Sequence, residues 1–128
     1  MTIELRDLSS DVLKTISADI RQRAAAIATR TRTQISIEDL SRNPGAPATE
    51  DVQRAIERAA GTLGLTHRRQ PSFAGHDAQM MAQLNPMGMI FVPSVNGISH
   101  SPKELTSWAD CANGANVLLN AVLEIDKV

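Results

Sequence analysis

What this sequence lacks narrows its reading first. It has no tyrosine, and its aromatic content is 2%, so it offers no platform on which unpaired bases could stack. Cys111 is the lone cysteine, which excludes a disulfide framework or a thiolate metal cage and fits a reducing, cytoplasmic setting. Cations are scarce late in the chain: Lys and Arg number 13, and after Gln70 only Lys103 and Lys127 remain. A net charge of −1 gives no general attraction to nucleic acid or to an anionic membrane. No apolar run approaches bilayer length. What is present, 128 residues at 42% hydrophobic and 21% charged, is the composition of a soluble globular chain with a modest core. The opening stretch "MTIELRDLSSD" has no signal-peptide shape. It starts directly on an alternating pattern, as expected of a piece of a longer polypeptide.

Periodicity then divides the chain. "TIELRDL", Thr2 to Leu8, alternates, with Ile3 and Leu5 on one face and Glu4 and Arg6 on the other. "SSD", Ser9 to Asp11, offers helix caps, and Leu13, Ile16, Ile20, Ala24 and Ile27 follow at helical spacing. "QISIEDL", Gln34 to Leu40, alternates again. The pattern predicts a β-α-β unit up to about Ser41. "RNPGAPAT", Arg42 to Thr49, reads as a linker. Beyond it come a helix with Val52, Ala55, Ile56, Ala59 and Leu63 inward, stopped by Gly64, and a short extended piece over Thr66 to Ser72. A Gly turn then leads into a short helix capped near Asp77. Met89 to Val92 predicts a strand buried on both faces. The final helix is capped by Thr106 or Ser107 and buries Trp108, Cys111, Ala115, Leu118, Leu119, Val122 and Leu123. The fold class is therefore α/β (α+β), with too few strands for a complete doubly wound sheet.

Three positions carry candidate chemistry. His100 lies on the loop after the Met89–Val92 run, where open α/β sheets place ligands. Neutral imidazole is the commonest metal ligand, yet one histidine does not define a metal site; a loop histidine bonded to backbone is the plainer local reading. His76, in "AGHDAQ", follows Gly75, which permits close backbone approach or a positive φ. The helix start beyond could face an anion, or Asp77 could simply cap with His76 as bystander. Arg6 could clamp a carboxylate through two parallel hydrogen bonds, or form a cross-strand ion pair worth little at the surface. The "HRR" run at His67 to Arg69 reads as solvated charge, the methionines as core filler, and Cys111 as inert.

Taken together, "TIELRDLSSDVL", "AGHDAQMMA" and "GMIFVPSVNGISHSPKELTSWADCANGANVLLNAVLE" resemble the C-terminal part of hydantoinase/carbamoylase-type amidases. These are the N-carbamoyl-L-amino-acid hydrolases, β-ureidopropionases and allantoate amidohydrolases of the dinuclear-metal aminoacylase-like clan. The resemblance implies that residues 1–43 form the second, β-α-β half of a two-layer lid and dimerisation domain. Residues 44–128 would be the C-terminal α/β segment of a metallo-exopeptidase-like catalytic domain. It implies that Arg6 holds the substrate carboxylate in a site that can belong to the neighbouring subunit. Gly75 and His76 would line the substrate pocket, and His100 would be the last ligand of a divalent metal, zinc or manganese. Two such ions activate water and polarise the carbonyl of a resonance-stabilised C–N bond, while a glutamate moves the proton. The implied substrate is a small ureido or N-carbamoyl amino acid, the implied assembly a homodimer or higher homo-oligomer, with no nucleic acid or membrane partner. The other metal ligands and the base have no counterpart here, so the chain alone is expected to be inactive; the alternative is a non-catalytic, self-associating module derived from that family. Phe73 stands where such relatives carry glycine, in "PSGAGHDA".

Overall fold

The structure is a computed structural model that describes residues 1–42 and 45–126. Among the described residues it is helical: α1 spans Ser10–Thr31, α2 Glu50–Thr62, α3 Asp77–Met81 and α4 Trp108–Ile125, with a 3-10 turn at Val95–Gly97. Two compact units form, one of Met1–Pro47 with Pro71–Gly75, the other of Ala48–Gln70 with His76–Val128. The expected linker from Asn43 and the expected boundary between 43 and 44 fall on residues outside the described set. No described helix is long and apolar enough to cross a membrane.

In the first unit, Ser9 caps α1 as expected, its Oγ accepting from the Val12 N–H at 3.3 Å. The helix ends at Arg32, whose φ of 55° is left-handed. The stripe predicted for α1 is only partly covered: Leu13, Ile20 and Ala24 are half-buried, while Ile16 and Ile27 stay exposed. Polar contacts fasten the later segment to the helix. Arg21 donates to the Ile37 carbonyl at 3.1 Å and to Asp39 at 2.6 Å, and Arg42 donates to Asp39 at 2.8 Å.

The predicted strands are a correction. Thr2–Leu8, Gln34–Leu40 and Met89–Val92 lie in irregular structure, and no strand occurs among the described residues. Ile3, Leu8, Ile35 and Leu40 are exposed, and so are Phe91 and Val92. The physical reason is that alternation records which face a side chain prefers, whereas a strand exists only when a neighbour supplies its ladder hydrogen bonds. The β-α-β unit and the doubly buried strand are therefore replaced by helices with unpaired segments between them.

The second unit is built on α2 against α4. Ala55, Ala59 and Ala60 of α2 are buried, as are Val117 and Ala121 of α4, with Ile56, Leu65 and Ile90 packed around this seam. Small side chains let the two backbones come close. Arg58 of α2 pairs with Glu124 of α4 beside the seam. Thr49 precedes α2 as predicted, but its hydroxyl accepts from the Met87 N–H at 3.0 Å instead of capping the helix, and its own N–H donates to the Met87 carbonyl at 2.7 Å. Ser107 caps α4, accepting from the Asp110 N–H at 3.0 Å. The buried face of α4 differs from the expected one. Trp108 is 91% exposed, Cys111 is exposed, and Leu118, Leu119, Val122 and Leu123 are each more than half exposed.

Arg69 is not merely solvated charge. Its guanidinium donates to Glu57 at 2.6 and 2.9 Å and to Glu50 at 2.8 and 3.0 Å. These bonds hold both carboxyls below the ordinary value of 4.5, partial desolvation opposing. A depressed folded-state pKa adds stability above the unfolded value and loses it as pH falls through the folded one. Arg69→Ala should therefore flatten the decline of stability below about pH 4.5, measured as urea midpoints across an acid series. A second expectation concerns Gly88. A Cβ there would lie 2.5 Å from Val52 Cγ1 and 3.1 Å from Ile56 Cδ1. Gly88→Ala should lower stability by about 1–3 kcal/mol, the usual cost of overpacking, read as a lower denaturation midpoint at unchanged m-value.

Candidate functional site

Arg6 is placed by contacts at both ends of its fork. Nε and Nη2 donate to Glu4 Oε1 at 3.0 and 2.7 Å, and Nη1 donates to the Phe73 carbonyl at 2.6 Å. The pair with Glu4 lies within one segment, not across two strands, and its side chains are 51% and 69% exposed. It contributes little as an ion pair; its effect is to orient the guanidinium. A guanidinium has five N–H donors. Three are used, so one on each of Nη1 and Nη2 keeps no acceptor among the described residues.

Gly75 follows Phe73 by two positions in the same unit. Its φ is not left-handed, and a Cβ there would meet open space. Of the two readings open for Gly75, the positive φ is not found, whereas the room for close backbone approach is; the glycines with left-handed φ are Gly64 and Gly97.

In the second unit, His76 is the N-cap of α3, in extended conformation, with Asp77 the first helical residue. The His76 ring is half-buried and meets Phe91 edge-on, centroids 5.7 Å apart at 67°. His100 sits on a closed loop. The Val95 N–H donates to the Leu105 carbonyl at 2.8 Å, closing the loop, and the Glu104 N–H donates to the Ser101 carbonyl at 2.9 Å. His100 has a φ of 54°, Asn96 one of 58°. The left-handed bend at His100 is held by its own N–H donating to Glu104 Oε2 at 2.9 Å, and the residue is exposed. Local bonding thus fixes the backbone of His100, not its ring.

The residues that spacing missed are the partners. Phe73 contributes through its carbonyl, 67 positions from Arg6, which no local pattern reveals. Glu104 lies four residues after His100, a separation that could have drawn notice. For a metal the test is plain: no three His, Cys, Asp or Glu side chains converge among the described residues. One imidazole does not build a shell, so these residues by themselves do not fit a metal centre.

Comparison with known proteins gives this geometry a context. The chain is 38% identical over 123 residues to an N-carbamoyl-L-amino acid amidohydrolase of Geobacillus stearothermophilus, covering 96% of this chain and 30% of that protein. It is 35% identical to a ureidoglycolate hydrolase of Arabidopsis thaliana, covering 92% of this chain and 25% of that protein. A crystal structure of an amidase of the hydantoinase/carbamoylase family from Burkholderia multivorans superposes with a TM-score of 0.82 at 35% identity, over 92% of this chain and 29% of its own. The chain thus spans under a third of the length of these relatives. The model of Peptidase family M20/M25/M40 matches residues 6–124, and with that span the chain belongs to this family.

Proposed function

We propose that these residues form part of a metal-dependent amidohydrolase that cleaves the C–N bond of N-carbamoyl (ureido) amino acids or related linear amides. The observation that carries this reading is the identity to an N-carbamoyl-L-amino acid amidohydrolase along 96% of the chain. The family is generally metal-dependent, and the chain spans 30% of that relative. The remaining ligands and the proton-transfer base are therefore assigned to polypeptide beyond these residues.

Within that reading, each candidate residue has one task. Arg6 receives the substrate carboxylate on its two uncommitted N–H groups, because Glu4 and the Phe73 carbonyl hold the fork in one orientation. Gly75 leaves the backbone of its loop open to a ligand, and His76 offers a ring nitrogen to the substrate. His100 is the ligand this chain contributes to a zinc or manganese centre. Residues 1–43 are assigned to a lid and dimerisation domain, and residues 44–128 to the C-terminal segment of a metallo-exopeptidase-like catalytic domain. The assembly is assigned as a homodimer or higher homo-oligomer, and its place as the cytoplasm.

A second reading is a non-catalytic module that associates with itself. It is favoured by an open apolar groove of about 480 Å³, lined by Val52, Ile56, Ile90, Val92, Leu118 and Val122 among others. Exposed apolar surface of this kind drives association.

Hydrolysis of N-carbamoyl-L-amino acids separates the two. The 128-residue chain alone is expected to release no ammonia or amino acid from them, and addition of the rest of the family fold, on the same polypeptide or a second one, is expected to restore turnover. Turnover by the chain alone overturns the shared-site reading; no turnover in the completed assembly leaves the self-associating module. In the active assembly, Arg6→Ala should raise KM for ureido acids about 10- to 100-fold, the loss of a charge-assisted hydrogen-bond pair, while uncharged linear amides change little.

A further inference from the structure

We propose that Phe73 and Glu4 set which ureido acid the site accepts: an apolar side chain is favoured and an acidic one rejected. This rests on the amidohydrolase reading above, in which Arg6 receives the substrate carboxylate. Arg6 and Pro71–Gly75 belong to one compact unit, so their relation is internal to that unit. The Phe73 carbonyl accepts from Arg6 Nη1 at 2.6 Å. The ring on the same residue is therefore within one residue's reach of the N–H groups that remain for a ligand. Phe73 is 53% exposed as a residue, so it offers apolar surface beside a cation. The turn is also constrained, since Ser72 Oγ accepts from the Ala74 N–H at 3.3 Å.

A carboxylate seated on Arg6 carries its α-carbon, and hence its side chain, a few ångströms beyond the guanidinium. An aliphatic or aromatic side chain can then cover the Phe73 ring, and both surfaces leave water. Glycine has nothing to cover it with. Glu4 supplies the opposite selection. Its carboxylate already shares Nε and Nη2 of Arg6 at 3.0 and 2.7 Å, so a second negative charge on the substrate meets a like charge nearby. One residue attracts by apolar contact and the other excludes by repulsion, which is how a small site separates substrates that share the same reacting group.

The test is competition within one tube of the catalytically competent assembly. A mixture of N-carbamoyl-L-leucine, N-carbamoylglycine and N-carbamoyl-L-aspartate is offered and the relative kcat/KM read from product ratios. Ratios do not depend on how much enzyme is folded. Wild type is expected to prefer leucine to glycine and to discriminate against aspartate. Phe73→Gly should reduce the leucine-to-glycine ratio about tenfold, and Phe73→Leu should largely keep it. Glu4→Gln should raise aspartate relative to leucine about tenfold. Hydrolysis with ratios unchanged within about twofold in both Phe73→Gly and Glu4→Gln overturns this inference alone. Absence of hydrolysis for all three substrates in the wild-type assembly overturns the amidohydrolase reading and this inference with it.

Discussion

The α2–α4 seam is the constraint on which the second unit depends. Ala59 and Ala60 pack with Val117 and Ala121 in one buried cluster, and several other segments of that unit are tied to these two helices. Thr49 ties the entrance of α2 to Met87, Arg69 reaches back to Glu50 and Glu57, and Arg58 meets Glu124. Yet the seam covers one side of α4 only. Two separate compact units of these lengths would expose about 8,000 Å², whereas the accessible surface is 10442 Å². Leu118, Leu119, Val122 and Leu123, each more than half exposed, add apolar area to it. A helix apolar around most of its circumference is built for burial on more than one side.

The same property explains what the sequence showed and what it hid. Along α2, charged residues such as Asp51 and Arg54, which pair with each other, mark the outer face, so the inward positions Ala55, Ile56 and Ala59 were legible from spacing. Along α4 the contrast is missing. Trp108, Cys111, Leu118 and Leu119 fit a stripe as well as Val117 and Ala121 do, and periodicity alone could not choose the face that packs. Two of the expected caps were legible because the chemistry is local, Ser9 and Ser107 both accepting the expected N–H, whereas Thr49 and the start of α3 make no side-chain cap bond. The strands were not, because a ladder is a property of two segments and the pattern describes one.

The candidate site divides in the same way. Arg6 stood out as a cation on the polar face of an expected strand and His100 by its loop context, and a resemblance along most of the chain gave each a task. Their actual neighbours are tertiary. The Phe73 carbonyl lies far along the chain from Arg6, and Phe91 reaches the His76 ring only through folding of the second unit. Glycine at position 75 suggested special backbone, but three of the five left-handed residues, Asn96, Gly97 and His100, fall where the loop between Val95 and Leu105 closes, the other two being Arg32 and Gly64. Backbone strain is thus concentrated on the loop that bears the proposed metal ligand.

The contact between Arg6 and Phe73 also governs how the polypeptide can assemble itself. Pro71–Gly75 joins the first unit only after the intervening Ala48–Gln70, with all of α2, has been laid down in the second. The first unit therefore cannot finish during synthesis until that helix has emerged, and closing so wide a gap carries an entropic penalty that nearest-neighbour contacts avoid. Nor can a protease or a gene engineer release either half intact with a single cut: severing the backbone between Pro47 and Ala48 strands the strip whose carbonyl orients the guanidinium.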